Sequence, residues 1–265
     1  MSWVLEAGKL EAKRFLSYRV DFWLQFAVNV MAEITVAYFL WEAIYQGSLT
    51  TVIGGYTFHQ MLMYYLFVPF VGRMVKSLED FSLATEIREG GLNKFLIYPL
   101  SFIQYKIMQK VVYTSLAILQ SFLGIFIVAY IIGIKVNFDI SNFALGIVAA
   151  YASMLLYGMM LMTLEMIAFW ADSVWSLGVM LRFIAMFFGG AFIPLNMFPE
   201  WSLKILMMTP FPYLFSNTIK TFIGENTFYQ SLEGIGITLL WVIPMALIML
   251  GTYRKGLRQY SGIGI

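Results

Sequence analysis

His59 is the only histidine in the chain and cysteine is absent, which removes most of the side chains that carry chemistry. Thiolate catalysis, disulfides and cysteine metal sites are excluded outright. Acyl transfer would need a serine beside a histidine, and metal-assisted hydrolysis would need clustered carboxylates or histidines. No Gly-x-Ser-x-Gly or His-x-x-x-His pattern occurs, and Asp139 and Asp172 are predicted on opposite sides of a membrane. A phosphate-cradling Gly-x-x-x-x-Gly-Lys-Ser/Thr loop is also missing, so the chain by itself has no P-loop route to ATP. No catalytic, cofactor-binding or metal-binding residues follow, and an enzyme is not expected. His59 reads as an interfacial or hydrogen-bonded side chain, with no partner for proton coupling.

The remaining polar groups are conspicuous because only 12% of residues are charged and 60% are hydrophobic, with a mean hydropathy of +0.77. The natural solvent for such a chain is lipid. A net charge of +2 is too small to point to nucleic acid. Glu33 falls midway along the first apolar segment, where a carboxylate must face protein or water. It serves either as an interhelical hydrogen-bonding group or as lining of a path or helix interface. Glu165 and Arg182 lie symmetrically about a short turn near Asp172–Trp175. An antiparallel hairpin would place them at similar depth, which predicts a buried interhelical ion pair. The densest charge sits in EIREGGLNKFLIYPLSFIQYKIMQK, Glu86 to Lys110.

Six segments are long and apolar enough to position these groups across a bilayer: 22–41, 56–75, 111–134, 143–164, 176–195 and 234–253. The fifth contains Arg182 and runs into Gly-Gly and Pro. Fourteen of the seventeen Lys and Arg residues fall on one side of these spans, leaving Lys135, Lys204 and Lys220 on the other. The positive-inside rule makes the first side cytoplasmic, with both termini there. The opening residues are charged and carry no small-residue cleavage site, so they do not read as a signal peptide.

Residues 1–21 form an indifferent amphipathic helix. Glu6, Lys9, Lys13 and Ser17 lie on one face and Trp3, Ala7, Leu10, Phe15 and Tyr18 on the other, with Glu11 and Arg14 intruding. It is either an interfacial helix or a basic orientation signal. On the outer side, Pro194 just ahead of residues 196–232, and Pro199, Pro210 and Pro212 within them, break an otherwise apolar stretch. Short helices that dip back into the outer leaflet, or cap the bundle, are expected there. No repeat or linker is visible, and a single domain over 1–265 accounts for the chain.

Two local patterns stand in register with this layout. Ile87, Gly90 or Gly91, Leu92, Leu96, Pro99 and Leu100 follow I-x-x-G-x-L-x-x-x-L-x-x-P-L. Gly190, Pro194, Pro199, Pro210 and Phe211 follow a Gly-x-x-x-Pro-x-x-x-x-Pro run ahead of a final Pro-Phe. Together they resemble the ABC-2 permease family, the membrane subunits of ATP-binding-cassette exporters. The resemblance implies an all-α membrane protein with six transmembrane helices and an N-terminal interfacial helix. It further implies a cytoplasmic coupling helix within 76–110 and short re-entrant outer helices between the fifth and sixth spans. It places the protein in the cell inner membrane as a dimer, with a second copy or a related permease, driven by a separate ATP-binding-cassette ATPase that binds the ATP. Glu86, Ile87, Arg88, Glu89, Gly91 and Leu92 would then dock that ATPase, with the charges at the rim and Ile87 and Leu92 filling a pocket. Four acids in the segment, Glu79, Asp80, Glu86 and Glu89, argue against a loop that merely touches lipid headgroups. The Glu-Ala-Ala…Gly loop of importer permeases is not matched. The alternative is a six-span secondary transporter working as an oligomer, and a membrane scaffold or insertase-like protein is a third class. Substrate identity is not legible in these residues.

Overall fold

The computed structural model describes residues 2–17, 19–48, 50–76, 82–97, 101–133 and 139–261. The order begins with α1 (Ser2–Ser17), α2 (Arg19–Tyr45), a hairpin of β1 (Val52–Ile53) and β2 (Tyr56–Thr57), and α3 (Phe58–Lys76). The hairpin pairs antiparallel in the register Val52↔Thr57 and Ile53↔Tyr56. Two short helices, α4 (Ser82–Arg88) and α5 (Asn93–Ile97), precede α6 (Phe102–Ile132) and α7 (Ile140–Glu165). A 3-10 turn, Met166–Phe169, leads towards α8 (Trp175–Phe188). A second 3-10 turn (Leu195–Met197), α9 (Glu200–Leu206), α10 (Phe211–Leu214) and α11 (Ser216–Ile223) follow, and α12 (Phe228–Leu257) closes the order.

Among the described residues four helices, α2, α6, α7 and α12, are long and apolar enough to cross a membrane. The other two predicted spans are also helical but differ in kind. α3 has 19 residues, carries Arg73 and Lys76 in its last turn, and contains Pro69. α8 stops after 14 residues, short of the expected end at Leu195, because the chain turns at Gly189–Gly190. Gly190 takes a φ of +85°, and the Met186 carbonyl accepts from both Ala191 and Phe192. At 1.5 Å per residue α8 reaches only about 21 Å, against a hydrocarbon core of about 30 Å.

α6 departs in the other direction. It begins at Phe102, about nine residues ahead of the predicted span, with Ser101 as an N-cap that accepts from Gln104 N–H. The sequence places a loop there because Lys106 and Lys110 interrupt the apolar pattern. Both lysines are buried in the fold, at 5% and 7% exposure, so they extend the helix instead of ending it. Between α8 and α12 the chain forms the short helices α9 to α11, whereas the β-hairpin was not expected.

α7 is the centre of the bundle and packs against α3, α6, α11 and α12. Gly146, Ala149, Ala150, Ala152, Ser153 and Gly158 are buried on it, and such small residues let helices approach where lipid offers no hydrophobic drive. One apolar cluster joins α2, α3 and the middle of α7. A second gathers at one end of the bundle. It unites α4, Leu92 and Phe95, the start of α6, the end of α7, the 166–169 turn and the end of α12. Arg88, Lys94, Lys106, Lys110, Arg254, Lys255 and Arg258 lie at or beside these elements, which makes this the basic end.

Gly256 of α12 is what lets the 166–169 turn seat there. A Cβ at Gly256 would collide with the Phe169 ring, whereas one at Gly251 would meet nothing within 4 Å. Gly256→Ala is expected to cost about 1–3 kcal/mol through overpacking. Gly251→Ala is expected to be neutral or to stabilise by about 0.5–1 kcal/mol from helix propensity. Thermal unfolding of the two variants in detergent, followed by size-exclusion recovery, checks the contrast.

Candidate functional site

The basic end is where the charged sequence stretch becomes structure. α4 is a seven-residue helix whose inner face, Leu83, Ala84 and Ile87, is buried. Gly90 follows at φ +77°, the left-handed conformation that ends a helix with least strain in glycine. Leu92 N–H then donates to the Glu86 carbonyl at 3.1 Å. Gly91 serves a different need, since a Cβ there would lie 3.3 Å from Glu86 Cα and Cγ. The Gly-Gly pair therefore folds the chain back onto α4, and Leu92 enters the core at 0% exposure.

That geometry corrects one expectation. Ile87 and Leu92 fill a pocket in their own bundle, not in a partner, because both are within the apolar cluster at this end. Glu86 is likewise turned inward. Its Oε1 accepts from Lys106 Nζ at 3.2 Å and sits 3.6 Å from the more exposed Lys94 Nζ. Lys106 also donates to Ser82 Oγ at 2.8 Å and lies over the Phe102 ring, so one buried ammonium holds two successive turns of α4. Arg88 and Glu89 remain exposed. They border a groove of about 550 Å³ that is also lined by Phe169, Trp170, Asp172 and Tyr260. Trp170 is 46% exposed there. Burial raises the pKa of the Tyr260 phenol, so this wall of the groove stays neutral across the physiological range.

Glu165 has an attachment that its sequence position does not reveal. Its Oε2 accepts from the backbone N–H groups of Leu83 at 3.0 Å and Ala84 at 3.3 Å, at the start of α4. Arg182, its predicted partner, is half-buried on α8. Glu33 is exposed on the outer surface of α2 and close enough to Arg73 and Lys76 of α3 to feel their charge. His59 is exposed in the first turn of α3. Pro99, Leu100, Glu79, Asp80 and Lys135 lie outside the described residues.

α1 corrects the amphipathic expectation. Leu10, assigned to the apolar face, is 67% exposed, while Glu11 is buried at 7%. Glu11 Oε1 accepts from Tyr105 Oη at 2.8 Å and Gln109 Nε2 at 2.9 Å. Two donors on α6 thus make a buried carboxylate tolerable and dock α1 on that helix. Gly8 beside it allows contact with Met108.

A family model described as "ABC-2 family transporter protein" matches residues 31–264. The chain belongs to the ABC-2 transporter family. No curated protein and no solved structure matches it. The family and the apolar helices together make it a multi-pass membrane protein with a permease role, a transport component and not itself a catalyst. The match spans both local patterns of this ABC-2 permease. The second of them forms the turn after α8, where Tyr64 Oη donates to the Gly190 carbonyl at 2.8 Å and Tyr65 Oη to that of Phe192 at 2.6 Å. Ser216 N–H donates to the Gly189 carbonyl at 2.8 Å, so α3 and α11 fix this turn jointly. Tyr64 and Tyr65 were not singled out in the sequence, since tyrosines in an aromatic-rich chain give no local signal.

Proposed function

We propose that this permease is the membrane subunit of an exporter, forming the translocation path as a dimer and driven by a separate ATP-binding-cassette ATPase. The observation that carries the reading is α4 with its groove. A short helix is anchored to the bundle on its inner face and presents Arg88, Glu89 and the neighbouring Trp170 outward. Exposed charge around an accessible aromatic suits reversible docking of a soluble partner. The concentration of Lys and Arg at this end supports, by the positive-inside rule, a cytoplasmic side that carries both termini, and the reading includes a location in the inner membrane. Closure of the ATPase would then shift the helices as rigid bodies. In this reading Glu33 lines the path or the interface between copies, and Glu165 and Arg182 add an ion pair between α7 and α8.

The test is mild-detergent capture of the tagged chain from its native membrane, with mass spectrometry of what accompanies it. A stoichiometric ATPase bearing a P-loop sequence is the expected result. A second permease of related sequence in the same complex would make the dimer a heterodimer. Capture of the chain alone would favour the second reading, an oligomeric secondary transporter. That reading draws on Glu33, a carboxylate exposed near the middle of α2, as an ion-coupling group.

A further inference from the structure

The first N–H groups of a helix have no partner within it, and a buried carboxylate has no water. At the basic end these two needs meet. Glu165, 3% exposed as the last residue of α7, accepts from Leu83 and Ala84 at the start of α4. The other end of α4 is tied as well, since Arg88 Nη1 donates to the Asp172 carbonyl at 2.7 Å. Between the two ties, Leu83, Ala84 and Ile87 share one apolar cluster with Met166, Ala168 and Val174. α4 is therefore clamped along its length to the 165–174 linker that joins α7 to α8. The linker is itself seated on α12, where Phe169 meets Gly256 and its ring lies 6.4 Å from Tyr253 and 6.0 Å from Tyr260.

We propose that Glu165 is a positioning residue that joins α4 and the α7–α8 linker into one rigid piece. A push on α4 is delivered through that piece to α7 and α12, the most extensively packed helix pair in the bundle. Without the carboxylate, α4 would yield locally and the push would be absorbed. The role in transmission rests on the ATPase-driven reading above; the rigid clamp does not.

Hydrogen–deuterium exchange on the purified full-length chain in detergent tests the clamp alone. In Glu165→Ala, peptides covering 82–88 and 166–172 are expected to exchange faster together, by about tenfold or more, because two hydrogen bonds to a charged acceptor are lost. Peptides from the middle of α12 should not change. Glu165→Gln keeps an acceptor oxygen at the same reach and should show a smaller rise in both segments. A rise confined to 82–88, or none, would overturn the single-piece assignment. The second readout uses the complex with its ATPase. Glu165→Ala should still recover the ATPase subunit, while the permease no longer stimulates its hydrolysis rate; Glu165→Gln should restore stimulation in part. Equal loss of recovery and stimulation would make Glu165 merely structural and overturn the transmission role. If no ATPase accompanies the wild-type chain, the ATPase-driven reading and the transmission role fail together, and the exchange result still decides the clamp.

Discussion

On the proposed ATPase-driven reading, Trp170→Ala is expected to lower recovery of the ATPase with this permease by about thirty-fold, corresponding to about 2 kcal/mol for a central aromatic anchor. The indole is nearly half exposed in the monomer and stands in the wall of the groove beside Arg88 and Glu89. An apolar ring left half exposed at the basic end has area to bury that the fold itself does not use. Its neighbour Phe169 is already committed to α12 and supplies the rigid backing that a binding anchor requires. Glu89→Arg is expected to act more weakly, since a rim charge changes association rate and salt dependence more than complex lifetime. Surface-immobilised permease titrated with the ATPase separates the two effects through dissociation and association rates. Equal affinity for the Trp170→Ala variant and the wild type would remove the groove from the interface.

The membrane helices were legible in the sequence because lipid imposes a length and a composition that few alternatives satisfy. Residues 22–41, 143–164 and 234–253 each fall inside an observed helix. Errors came where a charge or a glycine altered the pattern for a tertiary reason. Lys106 and Lys110 looked like a loop because a lysine inside a span is costly, and nothing local shows that Glu86 and Ser82 wait for one of them. On α1, Leu10 is exposed while Glu11, expected only as an intruder on the apolar face, is the buried group, because Tyr105 and Gln109, nearly a hundred residues away, supply the donors. Within the 86–92 segment, burial divides the residues in a way the sequence does not show. Ile87 and Leu92 have the apolar character of an interface anchor, and burial alone separates an anchor from a core residue. Trp170 carried no motif, and Glu165 was visible as a buried charge without its attachment to α4. In each case the missing term is a long-range contact, which periodicity and composition do not encode.

Glu86 offers the sharpest test of that distinction, because the family resemblance implies docking while the structure pairs it with the buried Lys106. Glu86→Ala leaves Lys106, with only 6% of its side chain exposed, holding a charge against Ser82 Oγ and the face of Phe102. Breaking a buried ion pair from one side costs about 3–5 kcal/mol, and the 22% exposure of Glu86 argues for the lower end. The contact to Lys94, more than half exposed, adds little to that figure. Replacing both partners removes the stranded charge. The double variant Glu86→Ala/Lys106→Met is therefore expected to recover at least half of the lost stability, measured as the thermal midpoint of detergent-solubilised protein. A docking residue would give the opposite pattern, with Glu86→Ala as stable as wild type and Lys106→Met bringing no recovery. Because Lys106 spans Ser82 and Glu86 across one turn, the same variants report on whether α4 keeps its place on α6. That attachment is what allows Arg88 and Glu89 to be presented at a fixed angle to any partner.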